Sequence, residues 1–232
     1  MKSRHLFNIV TPLLVMAAFG IGAPSNAQFI GPTLYLSSAD SPFNSTYFTY
    51  FHLETFESGV LSVPGVTPSA GIFAAPSGFT DSVDADDGAI DGSGIGGDSF
   101  FTADGAAGIT WTFNAGALGA LPDHAGIVWT DGFNSIHFEA FDQNGISLGT
   151  LSGSHADSDF TGSTAEDRFY GIVHQGGISA IKLSTDGGGL EMDHLQYGLT
   201  DTSQATPEPG SFALLCGLGI SGGVLAVRRR RR

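Results

Sequence analysis

The sequence has little positive charge and almost no cysteine, and both shortages exclude classes of function. Only Arg168 and Lys182 are basic between residues 28 and 207, against 22 acidic residues (all of the 23 except Glu208), so this part carries a net charge of −20. A body this acidic repels phosphate backbones, which argues against nucleic-acid binding. The one cysteine, Cys216, cannot form a disulfide framework or a cysteine-based zinc site.

A helical pattern is missing as well. From residue 28 to residue 199 no window repeats apolar residues at i, i+3 and i+4. Short alternating or aromatic-rich runs recur instead, separated by Gly, Asp, Asn and Ser, and they predict an all-β fold: a jelly-roll-like β-sandwich of two packed sheets. The clearest predicted strands are Thr46–Phe56, Ile109–Phe113, Gly126–Trp129, Ser135–Phe141, Ile146–Leu151, Phe169–His174, Ile178–Leu183 and Met192–Leu199.

Glycine-containing segments predict the turns between these strands. Asn144-Gly145 is the strongest short hairpin signal, and it lies between two of the predicted strands. Gly176-Gly177 and the segment 186–189 are expected to turn the next two pairs of strands.

The N-terminal 27 residues are typical of a signal peptide. Lys2 and Arg4 are followed by an apolar run from Leu6 to Ala23, and the small residues of Ser25-Asn26-Ala27 come next. We expect signal peptidase to cut before Gln28. The alternative is a transmembrane anchor, which the short, Pro12-interrupted apolar run disfavours.

The C-terminal residues predict a membrane span. Phe212 to Val227 are 16 uncharged residues, about 24 Å of helix, which nearly spans a hydrocarbon core of about 30 Å. Arg228, Arg229, Arg230, Arg231 and Arg232 follow, and such a cluster stays on the cytoplasmic side. The body is therefore expected on the far side of the membrane, at the end of a polar stalk of residues 200–206.

This tail closely resembles the PEP-CTERM sorting signal. Pro207, Glu208 and Pro209 match its motif, residues 212–227 its transmembrane helix, and residues 228–232 its basic cluster. The resemblance implies a Gram-negative bacterial protein that is anchored in the inner membrane. It also implies that an exosortase then cleaves the protein near the motif and releases it to the cell surface or the extracellular space.

The acidic body resembles domains of other chains that carry this sorting signal. The resemblance covers four segments and brings no activity with it, so it implies only a secreted β-sandwich. The segments are 81–88, 128–132, 165–169 and 192–198.

Clustered aspartates suggest a calcium site. Carboxylates this dense repel one another unless water solvates them or a hard cation bridges them, and calcium takes six to eight oxygen ligands. A solvated acidic loop is the alternative reading. A second hypothesis pairs Glu57 with Asp193 by analogy with jelly rolls that hold calcium between their first and last strands. The clustered candidates are Asp81, Asp84, Asp86, Asp87 and Asp91, with Asp98 nearby.

Two functional classes compete for the body. One is a non-enzymatic surface or extracellular-matrix protein associated with extracellular polysaccharide; the other is a secreted carbohydrate-active hydrolase. A flat or convex strip of exposed aromatic residues would favour the first, whereas carboxylates of raised pKa in an aromatic-lined groove would favour the second. The sequence contains no recognisable catalytic motif, so we expect the first. Aromatic candidates for stacking on sugars are Tyr35, Tyr47, Tyr50, Phe51, Trp111, Trp129, Tyr170 and Tyr197.

Overall fold

The computed structural model describes residues 26–44, 46–83, 96–133, 135–162 and 166–201. In these ranges the chain forms twelve strands, one 3-10 turn (Ser38–Asp40) and one single-turn helix, α1 (Ala115–Leu118). The strands are β1 (Gln28–Leu34), β2 (Phe48–Glu54), β3 (Val66–Pro68), β4 (Ile72–Ala74), β5 (Ser99–Thr102), β6 (Ile109–Phe113), β7 (His124–Gly132), β8 (Ile136–Asp142), β9 (Ser147–Gly153), β10 (Arg168–Val173), β11 (Ile178–Thr185) and β12 (Leu190–Thr200).

The strands form two antiparallel sheets. The first, sheet A, has the order β1-β10-β7-β12-β5-β4, and β2 pairs with β12 beyond the end of β5. The second, sheet B, has the order β3-β6-β11-β8-β9. The predicted all-β fold is therefore confirmed as two antiparallel sheets with almost no helix.

The main hydrophobic core contains residues from both sheets. Trp129 and Met192 of sheet A pack in the same buried cluster as Trp111 and Phe138 of sheet B. The alternation of the strands places these side chains on the inner face and polar residues on the outer face.

A second cluster covers the outer face of sheet A. Val128 and Phe169 project from that face, and Tyr35, Phe43 and Val83 pack against them from the segments that precede β2 and β5. Part of sheet A is thus buried on both faces, which explains why every residue of β7 is buried. Acidic residues on these strands are therefore withdrawn from water.

The predicted strands agree with the structure, but two connections differ from expectation. Asn144-Gly145 does turn the β8–β9 hairpin, with Gly145 at a φ of 74°. Gly176-Gly177 and residues 186–189 instead join strands of different sheets, because β10 and β12 lie in sheet A and β11 lies in sheet B. The sequence pattern missed β1, β3, β4 and β5.

The predicted signal peptide and the sorting signal with its helix 212–227 lie outside the described residues, apart from residues 26 and 27. Within the described ranges, no helix is long and apolar enough to cross a membrane. β12 extends through Thr200, the first residue of the predicted stalk.

Candidate functional site

A row of side chains crosses three strands of sheet A. Phe101 of β5 is the direct partner of Glu191 of β12, which is the direct partner of Asp131 of β7. Partners in register lie on one face of a sheet. This is the outer face, because the neighbours of Phe101 and Glu191 along their strands, Phe100 and Met192, belong to the core between the sheets.

Glu166 extends this row toward β10. It lies two residues before that strand, and its Oε1 accepts a hydrogen bond from the backbone N–H of Asp157. Oε1 of Glu191 accepts a hydrogen bond from the Ser99 hydroxyl. Asp131 Oδ1 and Glu166 Oε2 are buried and have no hydrogen-bond partner among the described residues.

Burial, more than any neighbouring charge, sets the protonation of these carboxyls. Asp131, Glu166 and Glu191 are 3%, 2% and 4% exposed. Desolvation raises the pKa of Asp131 to about 7, and nearby Asp157 and Asp159 add to the rise. Desolvation also raises the pKa of Glu166 and of Glu191 to about 8. The three groups therefore hold protons in a pH range where an exposed carboxyl has lost its own.

The row forms one wall of a pocket of about 730 Å³. Its aromatic lining consists of Phe79, Phe101, Phe133 and Phe160, and its buried carboxyls are Asp131 and Glu191. The rings of Phe79 and Phe160 are stacked, with centroids 6.1 Å apart and planes 17° apart. Both rings are 65% exposed, so they form an open rim above the buried acids.

Two loops hold the rim together. Phe79 precedes the buried residues 80–83, Phe160 follows β9, and the Gly162 N–H donates a hydrogen bond to the Gly78 carbonyl across the gap (3.3 Å). The β11–β12 turn lets Phe133 approach: Gly188 has a φ of 74°, and a Cβ there would lie 2.6 Å from Cβ of Phe133. Glycine is therefore required at this wall of the pocket.

The structure brings together the two residues that analogy paired as calcium ligands. Ser82 Oγ donates a hydrogen bond to Asp193 Oδ2 (3.1 Å) and lies 3.3 Å from Glu57 Oε1. Glu57 Oε1 also accepts from the Asp98 N–H, and Asp193 Oδ2 from the Val83 N–H. These contacts satisfy the two carboxylates with protein donors.

Of the other calcium candidates, only Asp81 lies within the described residues. Asp81 is buried near Glu191, where its backbone hydrogen bond lowers the pKa of Glu191 and its charge raises it. Asp84, Asp86, Asp87 and Asp91 lie outside the described residues. Within the described ranges, no group of three or more His, Cys, Asp or Glu side chains is arranged to hold a metal ion. The calcium site stays a prediction.

The aromatic residues of the pocket are not those that the sequence indicated. Tyr35, Trp111, Trp129, Tyr170 and Tyr197 are fully buried, and each belongs to one of the two hydrophobic clusters, so they are packing residues. The pocket uses phenylalanines from loops and strand ends instead. Among the predicted stacking residues, the strongly exposed one is Tyr47, and it does not line the pocket.

Sequence reasoning also missed the three buried acids as a group. Two of them lie in segments that the sequence analysis singled out, Asp131 in 128–132 and Glu166 in 165–169. Glu191 lies one residue before the segment 192–198. The alternation of β12 marks it as facing away from Met192, but no sequence pattern distinguishes a buried acid from a solvated one.

Comparison with known proteins adds no family: no family model, curated protein or solved structure matches the chain.

The buried carboxyls predict that the protein loses stability as the pH rises. Their pKa values in the folded state lie above about 4, the value of an unfolded acidic side chain, so folding favours their protonated forms. Their stabilising contribution to the free energy of unfolding is fully present below about pH 4. It is lost as the pH rises through 7 to 8, by up to about 1.4 kcal/mol per pH unit for each proton. Urea unfolding of the full chain from pH 5 to pH 8 measures it.

A paired variant isolates these groups from the general repulsion of an acidic body. Asp131→Asn with Glu191→Gln should flatten the pH dependence, whereas Glu139→Gln on β8 of sheet B should leave it unchanged. Equal slopes in all three proteins would contradict the assignment.

Proposed function

We propose that this chain is an exported, non-enzymatic surface or extracellular-matrix protein of the PEP-CTERM type, and that its β-sandwich binds extracellular polysaccharide. The observation that carries the binding function is the phenylalanine-lined pocket over Asp131 and Glu191. The jelly-roll-like arrangement of the strands, the signal peptide and the C-terminal membrane helix belong to the same proposal.

The chemistry of the pocket supports a sugar as its ligand. A volume of about 730 Å³ lies within the ~300–1,000 Å³ of small-molecule sites. Exposed rings such as Phe79 and Phe160 offer flat apolar faces, and a sugar ring presents C–H groups to such faces. Protonated carboxyls at the base can both donate and accept hydrogen bonds with hydroxyl groups.

Hydrolysis is the second candidate, and one observation favours it. Carboxyls of raised pKa lie in an aromatic-lined pocket, which is the arrangement expected of a carbohydrate-active hydrolase. Such enzymes separate the roles of their two carboxyls by shifting the pKa values apart. Here burial raises the pKa of both carboxyls, to about 7 for Asp131 and about 8 for Glu191, so the two groups are not separated into a protonated acid and an ionised base or nucleophile. We therefore rank binding first.

Calcium belongs to the proposal as a structural ion. Its candidate ligands remain Asp81, Asp84, Asp86, Asp87 and Asp91, with Glu57 and Asp193 as the alternative pair. The proximity of Glu57 and Asp193 to Ser82 supports the view that the acidic segment begins beside the last strand.

A glycan array screened with the full chain tests the binding function. We expect at least one oligosaccharide to bind, and we expect Phe79→Ala and Phe160→Ala each to weaken that binding about 2- to 10-fold, the range of a single aromatic contact. Tyr47→Ala is the matched control, because Tyr47 is exposed but outside the pocket.

Two results would contradict this assignment. Undiminished binding in both phenylalanine variants would place the glycan elsewhere. Release of new reducing ends from the bound oligosaccharide, abolished by Asp131→Asn, would make the protein a hydrolase.

Sorting is tested by the C-terminal motif. The exosortase should cleave near Pro207, Glu208 and Pro209, and Pro207→Ala with Pro209→Ala should leave an uncleaved membrane form, because prolines keep the backbone extended for a processing enzyme. Immunoblots of membrane and medium fractions with an epitope at Ser203 measure this. An epitope that stays in the membrane at the same mass with and without active exosortase would refute the sorting assignment.

A further inference from the structure

No positively charged side chain among the described residues forms an ion pair with the carboxyls of the pocket. Within the described ranges, the ion pairs are His124–Asp123 and His137–Asp186, and neither lines the pocket. The Arg168 guanidinium donates to the Asp167 carbonyl (2.8 Å), and Lys182 lies on β11 of sheet B. Asp131 lines this cavity although it is only 3% exposed, and its buried Oδ1 accepts no hydrogen bond from the described residues.

The phenylalanine rings of the pocket, like its carboxylates, attract positive charge. The face of a phenylalanine ring is electron-rich and attracts a cation, most strongly where water is excluded. Phe79, Phe101, Phe133 and Phe160 line the cavity together with Asp131 and Glu191, so an ammonium group inside it would lie among aromatic rings and acidic residues. An anionic sugar would instead meet the acidic body, and nothing on the described lining would pair with it.

We propose that the pocket selects glycans that carry a free amine, with the ammonium group of an amino-sugar unit held between the phenylalanine rings and the carboxylates of Asp131 and Glu191. This inference rests on the proposed glycan-binding function and names the class of sugar. It does not depend on calcium or on the sorting signal.

The bound cation should change the protonation of the site. In the folded protein, desolvation keeps the pKa of Asp131 and of Glu191 high, and the surrounding acids add repulsion. An ammonium group favours the ionised carboxylates, so a proton leaves as the ligand binds. The acids that surround the pair are Asp81, Asp157, Asp159 and Glu166.

Two hexasaccharides of the same backbone test the proposal. The full chain, purified in a polyoxyethylene detergent that carries no sugar headgroup, is titrated calorimetrically near pH 6 with fully deacetylated glucosamine hexamer and with N-acetylglucosamine hexamer. We expect the amine form to bind about tenfold more tightly, an effect between those of an exposed and a fully desolvated cation–π contact. Titrations in buffers of different ionisation enthalpy should show about one proton released per amine ligand and none for the acetylated ligand.

Variants separate the pocket from the acidic surface as a whole. Asp131→Asn with Glu191→Gln should abolish both the preference and the proton release while binding of the acetylated hexamer persists, and Glu139→Gln should change neither. A preference that survives in the double variant would assign it to the general charge of the body and overturn the proposal.

The remaining outcomes distinguish this inference from the proposed function. Equal affinity for both hexamers in the unmodified chain would overturn the amine preference and leave glycan binding intact. Absence of binding to every glycan on the array would overturn both.

Discussion

The pairing of strand β12 determines both the order of the strands in sheet A and the position of the segments that cover its outer face. One edge of β12 pairs with β7, while the other edge is divided between β5, at Leu190–Met192, and β2, at Leu195–Thr200. The division falls at Asp193 and His194, where His194 adopts a left-handed φ of 44°. The same break anchors the covering segments, because Asp193 accepts hydrogen bonds from residues 82 and 83 and His194 Nδ1 lies 3.0 Å from the Tyr35 hydroxyl.

Covering sheet A on its outer face buries Asp131, Glu166 and Glu191, which have no basic partner among the described residues. A chain with many cations would neutralise such groups by ion pairs, but this body has two basic residues. Burying an unpaired carboxylate is costly, so the group keeps its proton instead. The site of Asp131, Glu166 and Glu191 is thus a consequence of the charge composition and of the register of three strands. The exposed phenylalanines of the rim line the same pocket as Asp131 and Glu191.

The alternation of the sequence was enough to predict the long strands other than β1 (Gln28–Leu34), and Asn144-Gly145 was enough to place the β8–β9 hairpin. The strands Val66–Pro68, Ile72–Ala74 and Ser99–Thr102 were missed because three or four residues contain too few alternations. The site was missed for a different reason. Asp131, Glu166 and Glu191 are far apart in the chain, and only the pairing of β7 with β10 and β12 brings them together. Acidic residues are so common here that composition cannot identify the buried ones.

The central claim is that Asp131 and Glu191 are buried as protonated carboxyls beside the phenylalanine rim. The most direct measurement is an NMR titration of the side-chain carboxyl carbons in the ¹³C-labelled full chain, with Asp131→Asn and Glu191→Gln used for assignment. We predict titration midpoints that correspond to a pKa of about 7 for Asp131 and about 8 for Glu191. Midpoints near 4, the ordinary range of exposed carboxyls, would contradict the account.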